Sequence, residues 1–174
     1  IVGKTTSTLD GVGIGTYWVE VTDLNSCWVK GSVVITQVAA LIVTFDNQTN
    51  VLCHDASTGA INVTVGGGTG PYSTDWTGTD YLAAPYTSTD EDLTLLKAGT
   101  YDLVVTDANT CSESLATVTI TQPADLVVSL VGSTDVLCHD AATGSINVSA
   151  SGGVMPVGGY DFAWGGADYL AVPY

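Results

Sequence analysis

The chain has 174 residues, 45 % of them hydrophobic and only 12 % charged, with 18 acidic residues against three lysines and a formal net charge of −15. So few cations cannot neutralise phosphate groups, which argues against nucleic-acid binding and against attraction to anionic membranes. High hydrophobicity argues against disorder, and the longest apolar run, Val38 to Val43, is far shorter than the roughly 20 residues that cross a bilayer.

The first 37 residues predict a weak strand followed by a β-hairpin. Residues 1–14 are rich in Gly and Thr and predict a loop with a weak strand. From Gly15 onward, apolar and polar residues alternate with the period of two that is typical of a strand with one buried face. The sequence Asp23-Leu-Asn-Ser then favours a tight turn, because Asp and Asn side chains bond to their own backbone.

Residues 38–123 predict six or seven short strands and no helix. Turn signals recur about every 8–12 residues, which is typical of an immunoglobulin-like β-sandwich. The predicted segments are a strand at 41–45 that resumes at 51–53 after an Asn-rich break, strands at 60–65 and 72–76, a short edge strand within 77–91, a strand at 92–96, a corner at 97–99, and a hairpin from 99 to 123.

One module is copied along the chain, with a period of about 85 residues. Residues 35–65 align without gaps with residues 120–150, and Gly15-Thr-Tyr to Cys27 recurs as Gly99-Thr-Tyr to Cys111. Because internal repeats decide a fold, we predict tandem immunoglobulin-like sandwiches. Residues 1–37 would be the C-terminal part of one repeat, 38–123 a complete repeat, and 124–174 the N-terminal part of the next, cut from a longer array.

Six residues are predicted to define the fold. Trp76 would occupy the core position of the third strand, and Tyr101, two residues after Gly99, suits a tyrosine corner. Gly99 would lie where a side chain causes strain. Their counterparts in the partial modules are Gly15, Tyr17 and Trp164.

A family resemblance follows from these motifs. The complete module contains Cys-x-x-x-x-x-Gly-x-Ile-x-Val, Gly-Gly-x-x-Pro-Tyr-x-x-x-Trp, Leu-x-Ala-Gly-Thr-Tyr-x-Leu-x-Val-Thr-Asp-Ala-Asn-x-Cys and Thr-Ile-Thr-Gln-Pro. This pattern resembles the SprB-type repeat of very long surface adhesins in gliding Bacteroidota, although Thr110 replaces the usual Gly of the hairpin turn. The resemblance implies a secreted cell-surface stalk, adhesin or filament that serves adhesion or gliding motility.

Four cysteines in a Thr- and Gly-rich chain without arginine favour an oxidising, extracellular setting. A disulfide needs Cα atoms within about 7 Å, which argues against pairing across a module junction for Cys27–Cys53 and Cys111–Cys138. We expect an intramodule Cys53–Cys111 bond first. The alternative is a staple from one module's Cys-His-Asp loop to a neighbour's hairpin. In either case Cys27 and Cys138 would pair outside this fragment.

Few residues suggest ligand chemistry. Asp23, Asn25, Asp107 and Asn109 are weak calcium candidates, but capped turns on a solvated acidic surface explain them better. Zinc spacing, a catalytic nucleophile motif and a phosphate loop are all missing from the sequence, so we expect no catalytic residue, metal or cofactor.

Trp18 and Trp28 stand apart from the core pattern, because Trp18 falls on the outward face of its strand and Trp28 follows a cysteine. Packing against a neighbouring module or chain is the simpler interpretation, and a sugar-stacking platform is the alternative.

Together these observations predict a non-catalytic, extracellular structural module whose partners are neighbouring repeats or copies of itself in a fibre. The alternative is a carbohydrate-binding accessory module of a secreted enzyme that contacts a surface polysaccharide.

Overall fold

A computed structural model describes residues 5–139 and 141–166. Within these residues the protein is all-β, as predicted, with eleven strands and no helix. The strands are β1 (Gly15–Thr22), β2 (Trp28–Ile35), β3 (Ile42–Thr49), β4 (Gly59–Gly66), β5 (Ser73–Asp80), β6 (Pro85–Ser88), β7 (Leu93–Leu96), β8 (Gly99–Thr106), β9 (Ser112–Ile120), β10 (Val127–Thr134) and β11 (Ser145–Ser151).

Strands β3 to β9 form a two-layer sandwich of the immunoglobulin-like type. One sheet has the order β3-β4-β7 and the other the order β6-β5-β8-β9, and every neighbouring pair is antiparallel. The chain crosses between the sheets three times, after β4, after β6 and after β7. Sheets with one apolar face each are stable when these faces pack together, and this requirement gives the two layers.

The core of the sandwich lies between these two sheets. Period-two alternation directs Ile61 and Val63 of β4 inward, where they meet Tyr101, Leu103 and Val105 of β8. Burial of each such side chain contributes about 1.5–3 kcal/mol. Thirteen hydrophobic residues are buried, namely Leu41, Val51, Ile61, Val63, Trp76, Leu93, Leu96, Ala98, Tyr101, Leu103, Val105, Val118 and Ile120.

Trp76 lies at the centre of this core, on β5. Its ring is fully buried, and its Nε1 donates a hydrogen bond to the carbonyl oxygen of Asp90 at 3.0 Å. A buried indole needs such a partner because an unpaired N–H inside a protein is costly.

The predicted break after Phe45 is wrong, because β3 runs through the Asn-rich stretch to Thr49. The register with β4 shifts between Phe45 and Asn47, so Asp46 is the extra residue of a β-bulge. Polar side chains stabilise this part of the strand, since Asn62 Nδ2 donates to Asn47 Oδ1 at 2.9 Å. Val51 lies outside any strand, although it is buried and its amide donates to Thr121 O at 2.9 Å.

Tyr101 has the geometry of a tyrosine corner. Its hydroxyl donates to the carbonyl oxygen of Lys97, four residues upstream, at 2.9 Å. Its ring meets that of Tyr86 edge to face, with centroids 5.1 Å apart. Burial raises the pKa of the Tyr101 hydroxyl above its ordinary value. The corner thus ties the start of β8 to the end of β7.

Gly99 lies where the backbones of β8 and β5 pass close to each other. A Cβ atom at this position would be 2.3 Å from the carbonyl oxygen of Thr79, so the constraint is close approach of two backbones. Gly15 is its counterpart in sequence, yet a Cβ there would meet no atom closer than 3.6 Å. The difference arises because, among the described residues, β1 pairs only with β2.

The two remaining sheets are single hairpins, β1–β2 and β10–β11. They repeat local details of the complete module. The hydroxyl of Tyr17 donates to Gly13 O at 2.9 Å, four residues upstream as at Tyr101. Strand β10 shifts register between Leu130 and Gly132, which are the counterparts in the repeat of the residues that flank the bulge in β3.

The apolar faces of both hairpins are exposed. Val33 is 57 % exposed, whereas its counterpart Val118 in the complete module is 7 % exposed. Ile146 and Trp164 are likewise exposed, and Trp164 lies outside any strand. Within the described residues, each hairpin therefore has the apolar residues of a core-facing layer, but no second sheet covers them.

The tyrosine corner gives a first prediction. Tyr101→Ala should lower the free energy of unfolding by about 3–5 kcal/mol through the lost burial, and Tyr101→Phe by about 1 kcal/mol through the lost hydrogen bond to Lys97. Urea denaturation measures both. Tyr17→Phe removes the same type of hydrogen bond from an uncovered hairpin and should change stability by less than about 0.5 kcal/mol. A loss below about 1 kcal/mol for Tyr101→Ala would contradict the assigned corner.

Candidate functional site

Among the described residues, three hairpins close with the same aspartate-centred turn. In each, one carboxylate oxygen accepts the backbone amides two and four residues ahead, and the residue before the last has a positive φ. The turns begin at Asp23, Asp80 and Asp107, and their residues with positive φ are Ser26 (66°), Ala83 (62°) and Thr110 (65°). A type I turn followed by a left-handed residue is a common three-residue hairpin loop.

The sequence predicted the turns at Asp23 and Asp107 but not the one at Asp80. The only sequence feature that indicated this turn was an Asp four residues before a segment compatible with a strand. The residues after it, Tyr81-Leu-Ala-Ala, include no Asn or Gly, which are the residues that usually mark a turn. The second copy of that segment, 169–174, lies outside the described residues.

The turn at Asp107 also fastens the loop between β4 and β5. Asp107 Oδ2 accepts the amide of Thr69 at 3.0 Å, and Asn109 Nδ2 donates to Thr69 Oγ1 at 2.8 Å. Burial would raise the pKa of Asp107, but the amides of Cys111, Thr69 and Asn109 bond to its carboxylate and hold that pKa below its ordinary value. Asp107 thus stabilises the end of the sandwich at which β3 begins.

These contacts bear on the calcium candidates. Both oxygens of Asp107 accept backbone amides, and Oδ1 of Asp23 accepts the amides of Asn25 and Cys27. Within residues 5–139 and 141–166, no group of three or more His, Cys, Asp or Glu side chains could hold a metal ion. The contacts described for these carboxylates are hydrogen bonds from backbone amides in and beside the turns.

The opposite end of the sandwich carries the Cys-His-Asp loop. His54 Nδ1 donates to the carbonyl oxygen of Pro123 at 3.1 Å, and the amide of Asp55 donates to Gln122 Oε1 at 3.0 Å. Tyr81 donates its hydroxyl to Asp55 Oδ1, and this hydrogen bond, with smaller contributions from burial and nearby carboxylates, raises the pKa of Tyr81 to about 12. The loop thereby holds the chain where it leaves the module.

The same loop recurs in the following repeat. Leu52 N donates to Thr58 Oγ1 at 2.9 Å, and Leu137 N donates to Thr143 Oγ1 at 2.9 Å. Ala56 N bonds to Cys53 O and Ala141 N to Cys138 O, both at 3.1 Å. Cys138 thus occupies the same local structure as Cys53.

Between the sandwich and the β10–β11 hairpin, two consecutive residues are each held by a hydrogen bond. Pro123 O is bound by His54 of the preceding module, and the next carbonyl, Ala124 O, accepts the amide of Gly153 from the following one at 2.8 Å. The complete module begins in the same way, because Ala39 O accepts the amide of Gly68 at 3.0 Å. Pro123 is therefore anchored to the sandwich, and Ala124 to the segment that follows β11.

A glycine allows the backbone to pass this closely at the start of each module. Gly152 has a φ of 79°, and a Cβ on it would lie 1.8 Å from Asp125 O. Gly67 repeats the arrangement in the complete module, with a φ of 69° and the same 1.8 Å approach to Ala40 O. Only glycine fits such a position, so both modules start with the same packed backbone crossing.

The four cysteines are free and exposed. Cys53 lies at the end of the module where Val51 bonds to Thr121, whereas Cys111 follows the turn at the other end of β9. Nine residues of β9 span about 30 Å at about 3.4 Å per residue, far beyond the reach of a disulfide. The expected intramodule Cys53–Cys111 bond is therefore wrong.

Trp18 and Trp28 lie together on the outward face of the β1–β2 hairpin, 69 % and 65 % exposed. Lys30 Nζ lies between them, 5.1 Å from the ring centre of Trp18 and 5.5 Å from that of Trp28. Glu20 forms an ion pair with the same Lys30 at 3.1 Å. A cation over an indole face is a favourable contact that orders both rings.

A groove of about 440 Å³ lies on the apolar face of β10–β11. Its walls include Leu126, Val128, Tyr160 and Phe162. The equivalent face of β3–β4 in the complete module is covered by the second sheet, so the groove corresponds to the interior of an incomplete sandwich.

Comparison with protein families matches residues 46–80 and 131–168 to the SprB repeat. Both segments are therefore similar to this repeat family. The suspected resemblance is thus confirmed. The first residues of the two matches, 46 and 131, are as far apart as Ile35 and Ile120, so the spacing of the matches equals the period of the internal alignment. No curated protein and no solved structure matches the chain.

The SprB repeat is a structural repeat rather than an enzyme family, and it is associated with adhesin-like, cell-surface and secreted proteins. Across the part of the chain that the structure describes, there is no helix of the length and hydropathy needed to cross a membrane.

The turn at Asp107 gives a second prediction. Thr110 is β-branched at a φ of 65°, a conformation that costs a non-glycine residue about 1–2 kcal/mol. Gly there relieves this cost but adds about 0.5–1 kcal/mol of unfolded-state entropy, so Thr110→Gly should raise the free energy of unfolding by about 0.5–1 kcal/mol. The matched control Thr119→Gly, in an ordinary strand, should lower it. Chemical denaturation tests both, and destabilisation by Thr110→Gly would contradict the assigned strain.

Proposed function

We propose that this chain is a structural segment of a long extracellular filament or adhesin stalk, built from tandem immunoglobulin-like SprB repeats and serving adhesion or gliding motility. The observation that carries the proposal is the junction at Pro123 and Ala124, where consecutive residues are anchored in consecutive modules. Linkers without free residues resist bending, so each added repeat extends a stiff rod.

The uncovered hairpins support a tandem array. Val19, Val33 and Ile35 on β1–β2 repeat the core positions of β8 and β9, and Ile146 and Val148 repeat those of β4. Uncovered apolar faces and open strand edges are unfavourable in water. Further repeats, or copies of this chain, would supply the second layer for each hairpin.

The surface of the protein suits an exposed filament. With 18 acidic residues and three lysines, neighbouring filaments repel one another at neutral pH, and repulsion of this kind favours solubility. The Asp-centred turns require no metal for their own hydrogen bonds, so the stalk would keep its structure at low calcium concentrations.

A protein of two copies of residues 39–123, joined so that Ala39 follows Pro123, tests the stiff junction. These residues contain the complete core, and Ala39 is the counterpart of Ala124. Small-angle X-ray scattering should give the profile of a single rigid rod about twice the length of one module. The control has four Gly or Ser residues inserted after Pro123 and should show a broad distribution of shapes. Equal flexibility of the two proteins would overturn the proposal.

The alternative function, carbohydrate binding, is favoured by one observation. Trp18 and Trp28 present two exposed indoles beside Lys30 on one face. Indole faces stack on sugar rings, and the counterpart of Trp18 in the complete module is Asp102, so the pair belongs to this hairpin and is not a general feature of the repeat.

Tryptophan fluorescence of the 174-residue protein, titrated with soluble polysaccharides, tests this alternative. Binding should shift the emission of the exposed indoles, and Trp18→Ala or Trp28→Ala should each weaken it at least about tenfold, as for loss of a stacked ring. Val34→Ala on the same hairpin is the control. An emission spectrum that no polysaccharide changes would contradict carbohydrate binding. The two indoles would then be assigned to packing against a neighbouring module.

A further inference from the structure

We propose that successive repeats are joined by a disulfide bond between the Cys-His-Asp loop of one module and the β8–β9 turn of the next. In the complete module these positions are Cys53 and Cys111. The proposal rests on the tandem order put forward above, and it assigns a covalent role to cysteines that are free within the described residues.

The direction of the chain through the module places the two cysteines at different junctions. Strand β3 begins beside the Asp107 turn, where Ala39 bonds to Gly68 and Asp107 bonds to Thr69. Strand β9 ends beside the Cys-His-Asp loop, where His54 bonds to Pro123. Cys111 therefore lies at the entry end of a module and Cys53 at the exit end.

A short series of contacts connects these two ends across a junction. From the loop of Cys53, His54 reaches Pro123 at 3.1 Å, the chain passes to Ala124, and Ala124 bonds to Gly153 at 2.8 Å. In the complete module the residue after the equivalent glycine, Thr69, bonds to Ala108 at 2.9 Å, within the turn that ends at Cys111. An exit loop and the next entry turn thus share one junction.

The positions of the cysteines recur in the neighbouring repeats. Cys138 repeats the local structure of Cys53, and Cys27 follows the same Asp-centred turn as Cys111. Each of the four cysteines faces a different junction, and in the proposed array each partner lies in a part of a neighbouring repeat outside residues 1–174. This accounts for four unpaired thiols in a chain that otherwise suits an oxidising setting.

The bond forms by oxidation of two thiols. The two sulfur atoms lose two protons and two electrons to a disulfide-exchange catalyst, whose own disulfide is reduced to two thiols, and one S–S bond forms. Each junction then has a second covalent connection beside the Pro123–Ala124 peptide bond. Tension along the filament would be shared between the two connections.

The two-copy protein of residues 39–123 tests the bond with a matched pair of variants. In the first, only Cys53 of the first copy and Cys111 of the second are kept, the other two being replaced by Ser. In the second, only Cys111 of the first copy and Cys53 of the second are kept. Both have two thiols, but the first pair faces the junction and the second pair lies at the outer ends.

After equilibration with oxidised and reduced glutathione, free thiols are counted and the mass of the monomer is measured. The junction pair should close into an intramolecular disulfide at a glutathione ratio at least about tenfold more reducing than the outer pair needs. Two remaining thiols in the first variant, or equal closure in both, would overturn the proposal. Scattering from the variant with all four Cys→Ser separates the two hypotheses. A rigid rod without a disulfide rejects only the disulfide, whereas a flexible chain rejects the stiff array.

Discussion

The odd number of strands in the module is the constraint on which the rest depends. Seven strands that alternate in direction make the chain enter at the Asp107 end and leave at the Cys-His-Asp end. An even number would return the chain to its starting end, and successive modules could not extend in a line. The entry glycine Gly67, the loop at His54 and the placement of the cysteines all follow from this direction.

The two layers of the sandwich could be predicted from the sequence because they are determined by patterns among residues close together in the chain. Alternation in β4 and β8 fixes which residues face inward, and the internal repeat, seen also in the two family matches, fixes the module. The position of Tyr101 relative to its glycine was sufficient to indicate the corner. Such features depend on residues that are close together in the chain, so a single sequence is sufficient to predict them.

Long-range arrangement was harder to predict. The pairing of Cys53 with Cys111 failed because spacing along the chain gives no information about which end of a sandwich a loop occupies. The Asn-rich segment after Phe45 was assigned to a break because Asn disfavours strands, whereas a bulge and the Asn47–Asn62 hydrogen bond keep it in the sheet. Both errors concern contacts between segments that are distant in sequence.

The bulge in β3 has a consequence for filaments that lie side by side. Strand β3 is at the edge of its sheet, and an edge with free N–H and C=O groups can pair with the edge of another molecule. Asp46 interrupts the hydrogen-bonding pattern there and adds a negative charge, and the register shift recurs in β10. Every repeat with this edge would resist fusion of its sheet with that of a neighbour, so a dense layer of stalks on a surface could remain a set of separate fibres.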